Sequence, residues 1–330
     1  MRQGGSAIRC PPFSRGCRPE RDLVKYLYLA DLGVVSVDDW HGNGGPEEFR
    51  TLQALARDAR YHEALERASA ALTAGNLGRK QAGRIHSLLC WLYVEGMHQS
   101  CPAAALHGEE AARLAELIGE PWAECEALCR LVHVYCHLGD ITRAKQACDK
   151  IADEVEYNPG TLDGGMATVW TLRAVIAAAS GDEEGALTAL EQAEREAAGG
   201  NADIMARIRS RKVTALLSCG RRAQALQVVA QAPTEGPADG LDWAVATAWV
   251  TLEASGPAQA RPLIEAVMDR AQSSGNLSAE AHCLALQALA EEQRSTQAAR
   301  RVALQAVSRA MTAGRVDLVH QFRRRFQALL

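Results

Sequence analysis

Aromatic side chains are scarce in this chain of 330 residues, at 5% of the total with only 4 phenylalanines. Sheet proteins lean on aromatic and β-branched residues to fill their pleated faces, and no long run here is rich in β-branched side chains. Hydrophobic residues nevertheless reach 48%. Alanine and leucine supply much of that share, which favours an all-α protein with ample material for a core. An excess of one charge is also missing: Lys and Arg total 36 against 40 Asp and Glu, for a net charge of -4. With a pI near 6.2 there is no global basic field to draw nucleic acid. Apolar runs stop well short of the roughly 20 residues that span a bilayer. The N-terminal arginines are followed by Cys10-Pro11-Pro12-Phe13-Ser14-Arg15, which lacks the apolar core of a signal peptide.

Cysteines number 10, yet no Cys-x-x-Cys pair occurs. They are scattered, mostly inside helical patterns (Cys90, Cys125, Cys129, Cys136, Cys148, Cys219, Cys283). Such usage reads as buried free thiols in a reducing compartment, so the expected location is cytoplasmic. Catalytic vocabulary is missing as well. The Gly-rich stretches separate periodic segments and do not join a strand to a helix as a phosphate-binding loop does. Asp182-Glu183-Glu184 follows a turn glycine and reads as a helix start, where carboxylates favour the helix dipole. The expectation is a non-enzyme with no catalytic residue, no cofactor and no metal.

What is present is a repeat. Residues 122–156 read as two helices around a Gly139-Asp140 turn. In the first helix, Ala123, Ala127, Leu128, Leu131, Val132 and Tyr135 recur at three- and four-residue spacing and fall on one face. Gly139 is placed to end that helix in a left-handed conformation, and Asp140 or Thr142 to cap the next. Ile141, Ala144, Ala147, Cys148 and Ile151 form the stripe of the second helix. Either helix alone is too short to be stable in water; stacked copies of the hairpin would cover both stripes. Aligned on the small residue of the second helix, the chain gives a ladder of Ala64, Ala105, Ala144, Ala186, Ala225, Ala260 and Ala299. The steps of roughly 35–42 residues match the periods of helical-hairpin repeats.

Three regions follow. Residues 1–46 carry Gly, Pro, Ser and Arg with little periodicity and are expected to be disordered or linker, with one amphipathic helix over 21–32. Residues 47–313 form the repeat array. Residues 314–330 form a capping helix, with Val319, Phe322 and Phe326 facing inward and Arg323, Arg324 and Arg325 solvated.

The stretches YHEALERASAAL (61–72), LGDITRAKQACDKI (138–151) and SGDEEGALTALEQA (180–193) resemble the turn and second helix of tetratricopeptide repeats. Trp170 sits where such repeats often carry tryptophan. Residues 107–140 are similar to repeats in the helical sensor domain of maltose-regulon-type and related LuxR-like bacterial activators. The resemblance covers about residues 47–313 and implies an α-α superhelix of about six to seven hairpins, right-handed, with first helices lining the concave side. It also implies a partner held in that groove.

One cluster carries polar chemistry. Cys125, Cys129, His133 and His137 recur every fourth residue, with Cys136 beside the last. The element types suit zinc or copper, but successive turns climb about 5.4 Å, so one helix brings only two such side chains to an ion. The set therefore reads as a groove lining. Relative to the turn glycine, Cys129, His133 and His137 match concave positions of the resembled repeats. With Trp91 and Trp249 as aromatic anchors, these five form the expected partner-binding groove. The expected occupant is a peptide or helical segment of another protein. The alternative is a signal-sensing regulator acting on transcription through a partner.

Overall fold

Each pair of stripes read from the sequence becomes one helical hairpin. The computed structural model describes residues 47–57, 60–96, 101–198, 202–231, 241–292 and 294–330; the segment 1–46, with its expected helix at 21–32, lies outside them. Helix α1 (Glu47–Arg57) pairs with α2 (Tyr61–Ala74). Helix α3 (Arg79–Trp91) continues into a π-helical turn (Leu92–Gly96) and pairs with α4 (Cys101–Ile118). Then come α5 (Pro121–Leu138) with α6 (Ile141–Tyr157), and α7 (Gly165–Ser180) with α8 (Glu183–Glu196). The series ends with α9 (Ala202–Ser218) and α10 (Arg222–Ala230), α11 (Leu241–Ser255) and α12 (Pro257–Ser274), then α13 (Leu277–Glu292) and α14 (Thr296–Thr312). Helix α15 (Val316–Arg325) follows, and no strand occurs among the described residues.

The alanine ladder marks where paired helices touch. Ala64, Ala144, Ala225, Ala260 and Ala299 are 0% exposed, Ala186 1% and Ala105 6%, each near the start of an even-numbered helix. A methyl group at that point lets the two axes close together, so one small residue per copy sets the repeat. The core runs without interruption from α1 to α15, because each cluster of buried side chains shares a helix with the next.

Helix α5 departs from the one-sided stripe. Residues 125–132 and 134–136 are all buried, because α3, α4, α6, α7 and α15 all pack around this helix. Even Glu126 and Arg130 are only 6% exposed, and they pair with each other one turn apart. Arg130 also donates from Nη1 to the Ser87 carbonyl in α3 at 3.2 Å. Burial pushes the Glu126 carboxyl pKa up, against the pull of Arg130. Where α4 crosses this helix, glycine is required. A Cβ on Gly108 would stand 2.7 Å from Leu131 Cδ2 and 3.2 Å from Cys90 Sγ.

The turn chemistry follows the sequence. Gly139 is left-handed (φ 76°) and ends α5, while the Asp140 carboxylate accepts from the Arg143 backbone N–H at 3.0 Å to cap α6. Gly181 (φ 81°) and Asp182 do the same between α7 and α8.

The end of the array brings a difference from the expected cap. Val319, Phe322 and Phe326 are buried and Arg323, Arg324 and Arg325 exposed. But α15 also reaches across the spiral to α5. Val316 lies over the Gly139 turn, and the Arg324 guanidinium occupies the space where a Cβ on Gly181 would sit. The last described helix thus rests on the turns of the third and fourth hairpins, and the stack closes on itself.

Candidate functional site

The spiral surrounds a partly open cavity of about 280 Å³. Its walls come chiefly from first helices: His133, Cys136 and His137 of α5, Val175 and Ala179 of α7, Ser210, Arg211, Thr214 and Ser218 of α9, Val245 and Trp249 of α11, and Ala279 and His282 of α13. Glu183 and Leu190 of α8 join them, and Arg315, Asp317, Leu318 and Gln321 from the chain around α15 add a further wall.

The polar members are held by short local contacts. Asn276 caps α13 by accepting from the Ala279 N–H at 2.9 Å. His282 Nδ1 lies 3.0 Å from the Ser278 carbonyl, and its ring meets Phe322 edge-on at 5.8 Å. Arg315 donates to both Asp317 oxygens, at 2.9 and 2.7 Å, and to Ser278 Oγ at 3.2 Å. Burial works to raise the Asp317 pKa, but Arg315 outweighs it and holds the carboxyl below its usual range. Burial and then nearby cations, Arg211 first, lower the His133 pKa well below the usual imidazole range. It is therefore neutral at pH 7. Glu183 is desolvated, which pushes its pKa up, with Arg324 as the opposing cation. Arg211 itself makes no ion pair or hydrogen bond among the described residues. The Trp249 indole N–H is buried and has no acceptor.

Of the five groove residues expected from sequence, the structure brings His133, His137 and Trp249 to this cavity. Cys129 is elsewhere: at 5% exposure it belongs to the core shared by α3 to α7. The reason is geometric. At 3.6 residues per turn a four-residue step advances about 40° beyond a full turn, so a strict every-fourth stripe winds off its face. Cys125 and Cys129 fall into the core, and His133 and His137 emerge into the cavity. Trp91 is also displaced from the expectation. Leu89, Cys90, Trp91 and Leu92 are consecutive buried residues that leave the end of α3 no free face, and Trp91 packs edge-on to Tyr61 of α2 at 5.8 Å.

The buried thiols are poor ligands and poor nucleophiles, since both roles need thiolate. Burial pushes Cys125 and Cys136 up to about 12, and Cys129 higher still. Among the described residues no group of three or more His, Cys, Asp or Glu is arranged to hold a metal ion.

Several cavity residues were not singled out from the sequence. Thr214 and Ser218 stand at the same distance ahead of Gly220 as His133 and His137 do ahead of Gly139, and Val175 and Ala179 hold those places ahead of Gly181. Carrying the register of the third copy to its neighbours would have found them. Arg315 and Asp317 had no such signal, because their place depends on a contact between distant parts of the chain.

Hairpin on hairpin, with first helices turned to one concavity, this is an all-α superhelix of tetratricopeptide-like repeats. No known family model matches the chain, and no curated protein matches it. Among solved structures it is similar to a Rap protein complexed with competence and sporulation factor, with a TM-score of 0.60, 13% identity, and coverage of 93% of this chain and 94% of that one. It is also similar to NprR in complex with its cognate peptide NprX, with a TM-score of 0.55, 16% identity and 88% of each chain covered. At these identities the likeness is one of fold. The finer likeness to maltose-regulon-type activators finds no support in these matches. Among the described residues no helix is long and apolar enough to cross a membrane.

Proposed function

We propose that this chain is a non-catalytic binding module that takes a short peptide into the cavity of its superhelix. One observation carries the reading: the first helices turn to one partly open concavity whose lining mixes polar side chains, among them His133, His137 and Arg211, with alanine, valine and leucine, as a ligand site with both contact types does. The likeness to two superhelices solved with a bound peptide or factor supports it. The occupant is an extended peptide or a helical segment of a partner, and both reuse a groove of mixed polar and apolar lining.

The anchors are then His133, His137 and Trp249, joined by Arg211, while Trp91 and Cys129 act through packing. Regulation of transcription through a partner is a second reading. It is favoured by α15, which adds a wall to the cavity and also shows Arg323 and Arg325 to solvent. Occupancy could thereby be felt at the surface.

The test is affinity capture from the native cell, followed by identification of small peptides released on unfolding the protein. A recurring peptide should survive Arg195→Ala, on an exposed helix face, and be lost with Trp249→Ala. Truncating a buried aromatic anchor typically removes at least about 2 kcal/mol of binding. A peptide released by the Arg195 change and kept by the Trp249 change would put binding on the outer surface and end this reading.

A further inference from the structure

The charge of this chain is unevenly placed. Residues 294–330 hold 8 arginines and a single acid, Asp317, a net of +7 against -4 for the whole chain, which leaves -11 on residues 1–293. Several of those arginines are answered locally: Arg309 by Glu280, Arg315 by Asp317 and Arg294 by Glu291. Arg300 and Arg301 are not. Both are exposed on α14, opposite the alanines that pack into the core with α13 and α15. They make no ion pair or hydrogen bond among the described residues. Leu304 and Met311, 52% and 61% exposed, continue the same face at helical spacing.

A face of opposite sign lies on α6. Asp149, Asp153 and Glu156 are exposed, follow one another at four- and three-residue steps, and have no ion pair or hydrogen bond among the described residues. Tyr157, 84% exposed, stands beside them. By contrast, Glu63, Glu110 and Glu184 on the other second helices are paired within the chain, with Arg67, Arg113 and Arg221. The two unpaired sets also work against their own helices. Glu156 lies in the last turn of α6, at the negative end of the dipole, and Arg300 and Arg301 lie just past the first turn of α14, near the positive end. Asp149 and Asp153 repel one another one turn apart. Each set supplies the charge that the other lacks.

We infer that these faces pair between copies of this chain: the α14 face of one molecule docks on the α6 face of the next. The basic start of one helix then meets the acidic end of the other, so the two lie antiparallel and Tyr157 comes within reach of an arginine. Arginine, methionine and tyrosine are residues that protein interfaces enrich, which favours a protein over a nucleic acid on this surface. The contact is heterologous. Each added copy leaves one face of each kind free, and the assembly grows in a line or closes to a ring. A single helix pair is small for a permanent interface, so the association is weak and salt-sensitive.

Sedimentation velocity of the full chain tests this. At about 0.1 M salt the mean mass should rise with protein concentration. It should return to the monomer at about 1 M, as the screening length falls from about 10 to 3 Å. Arg300→Glu with Arg301→Glu should weaken association at least about tenfold, and so should Asp153→Arg with Glu156→Arg, because each sets like charge against like. Both pairs of changes give their helix the charge its dipole favours, so melting temperature should not fall and loss of fold is told apart from loss of contact. The chain carrying all four reversals exchanges the sign of the two faces and should associate again. A wild type that stays monomeric at low salt, association that the reversals leave unchanged, or a fourfold variant that remains monomeric would each overturn the inference. So would a monomer that retains duplex DNA and loses it with Arg300→Glu and Arg301→Glu, since the basic face would then belong to nucleic acid.

Discussion

Two imidazoles in the second hairpin show how a pair of residues can set a pH response. His86 Nδ1 of α3 and His107 Nδ1 of α4 lie 2.9 Å apart, with the His107 ring stacked on Tyr93 at 5.8 Å. One nitrogen must donate and the other accept, so at least one ring is neutral. Burial lowers the pKa of both, that of His107 to about 4, with His86 as a further cause there. Glu110 pulls His86 the other way and Arg113 adds to the lowering. In an unfolded chain both would titrate near 6.5. Above that value neither state binds the proton and the pair's contribution is fully present. Between about 6.5 and 4 the unfolded chain binds protons that the folded one refuses, so stability falls as pH falls. Discounted for partial exposure, the loss is about 1–2 kcal/mol. Melting temperature should therefore drop by a few degrees between pH 7 and pH 5, and His107→Gln should flatten that slope. A slope equally steep in the variant would assign the effect to other groups.

At the scale of an element, the helical hairpin is what the sequence writes most plainly. Turn glycines, the Asp140 cap and the alanine at the start of each second helix are all local signals, since each depends on neighbours within a few residues. The last two copies were legible by the same rule: Ala260 and Ala299 are as buried as Ala64. Ala144→Trp should test the rule directly. Overpacking a helix contact that leaves the methyl 0% exposed should cost at least about 1–3 kcal/mol, read as an earlier denaturation midpoint. An unchanged midpoint would mean the axes do not meet there. The cavity was less legible. A helical wheel shows which residues share a side, but α5 is wrapped on nearly all sides, so its burial pattern depends on five neighbours that no local pattern names. Trp91 and Trp249 look alike in sequence, each in a helix of the repeat. Only the packed neighbours distinguish a core tryptophan from one that lines a cavity.

For the molecule as a whole, the decisive contact joins α15 to α5 and to the turns after α5 and α7. A repeat stack is usually quasi-one-dimensional, each unit stabilised by its neighbours alone, and loss of an end should loosen only the adjacent pair. Here removal of residues 315–330 should also raise amide hydrogen exchange at the end of α5, around Val134 to His137, far from the cut in sequence. Protection there that equals the intact chain's would show the third hairpin to be independent of α15. Loosening limited to α13 and α14 would say the same.

That closure also sets an order in time. The walls of the cavity leave the ribosome in sequence, α5 early and α15 after all the others. At about 5–20 residues per second, roughly ten to forty seconds separate the two. Only at the end of that interval are all the hairpins present, and the α5 histidines then face a trough that still lacks Arg315, Asp317, Leu318 and Gln321. A nascent chain therefore passes through a stage in which it is already a superhelix but is missing one wall, and α15 supplies it.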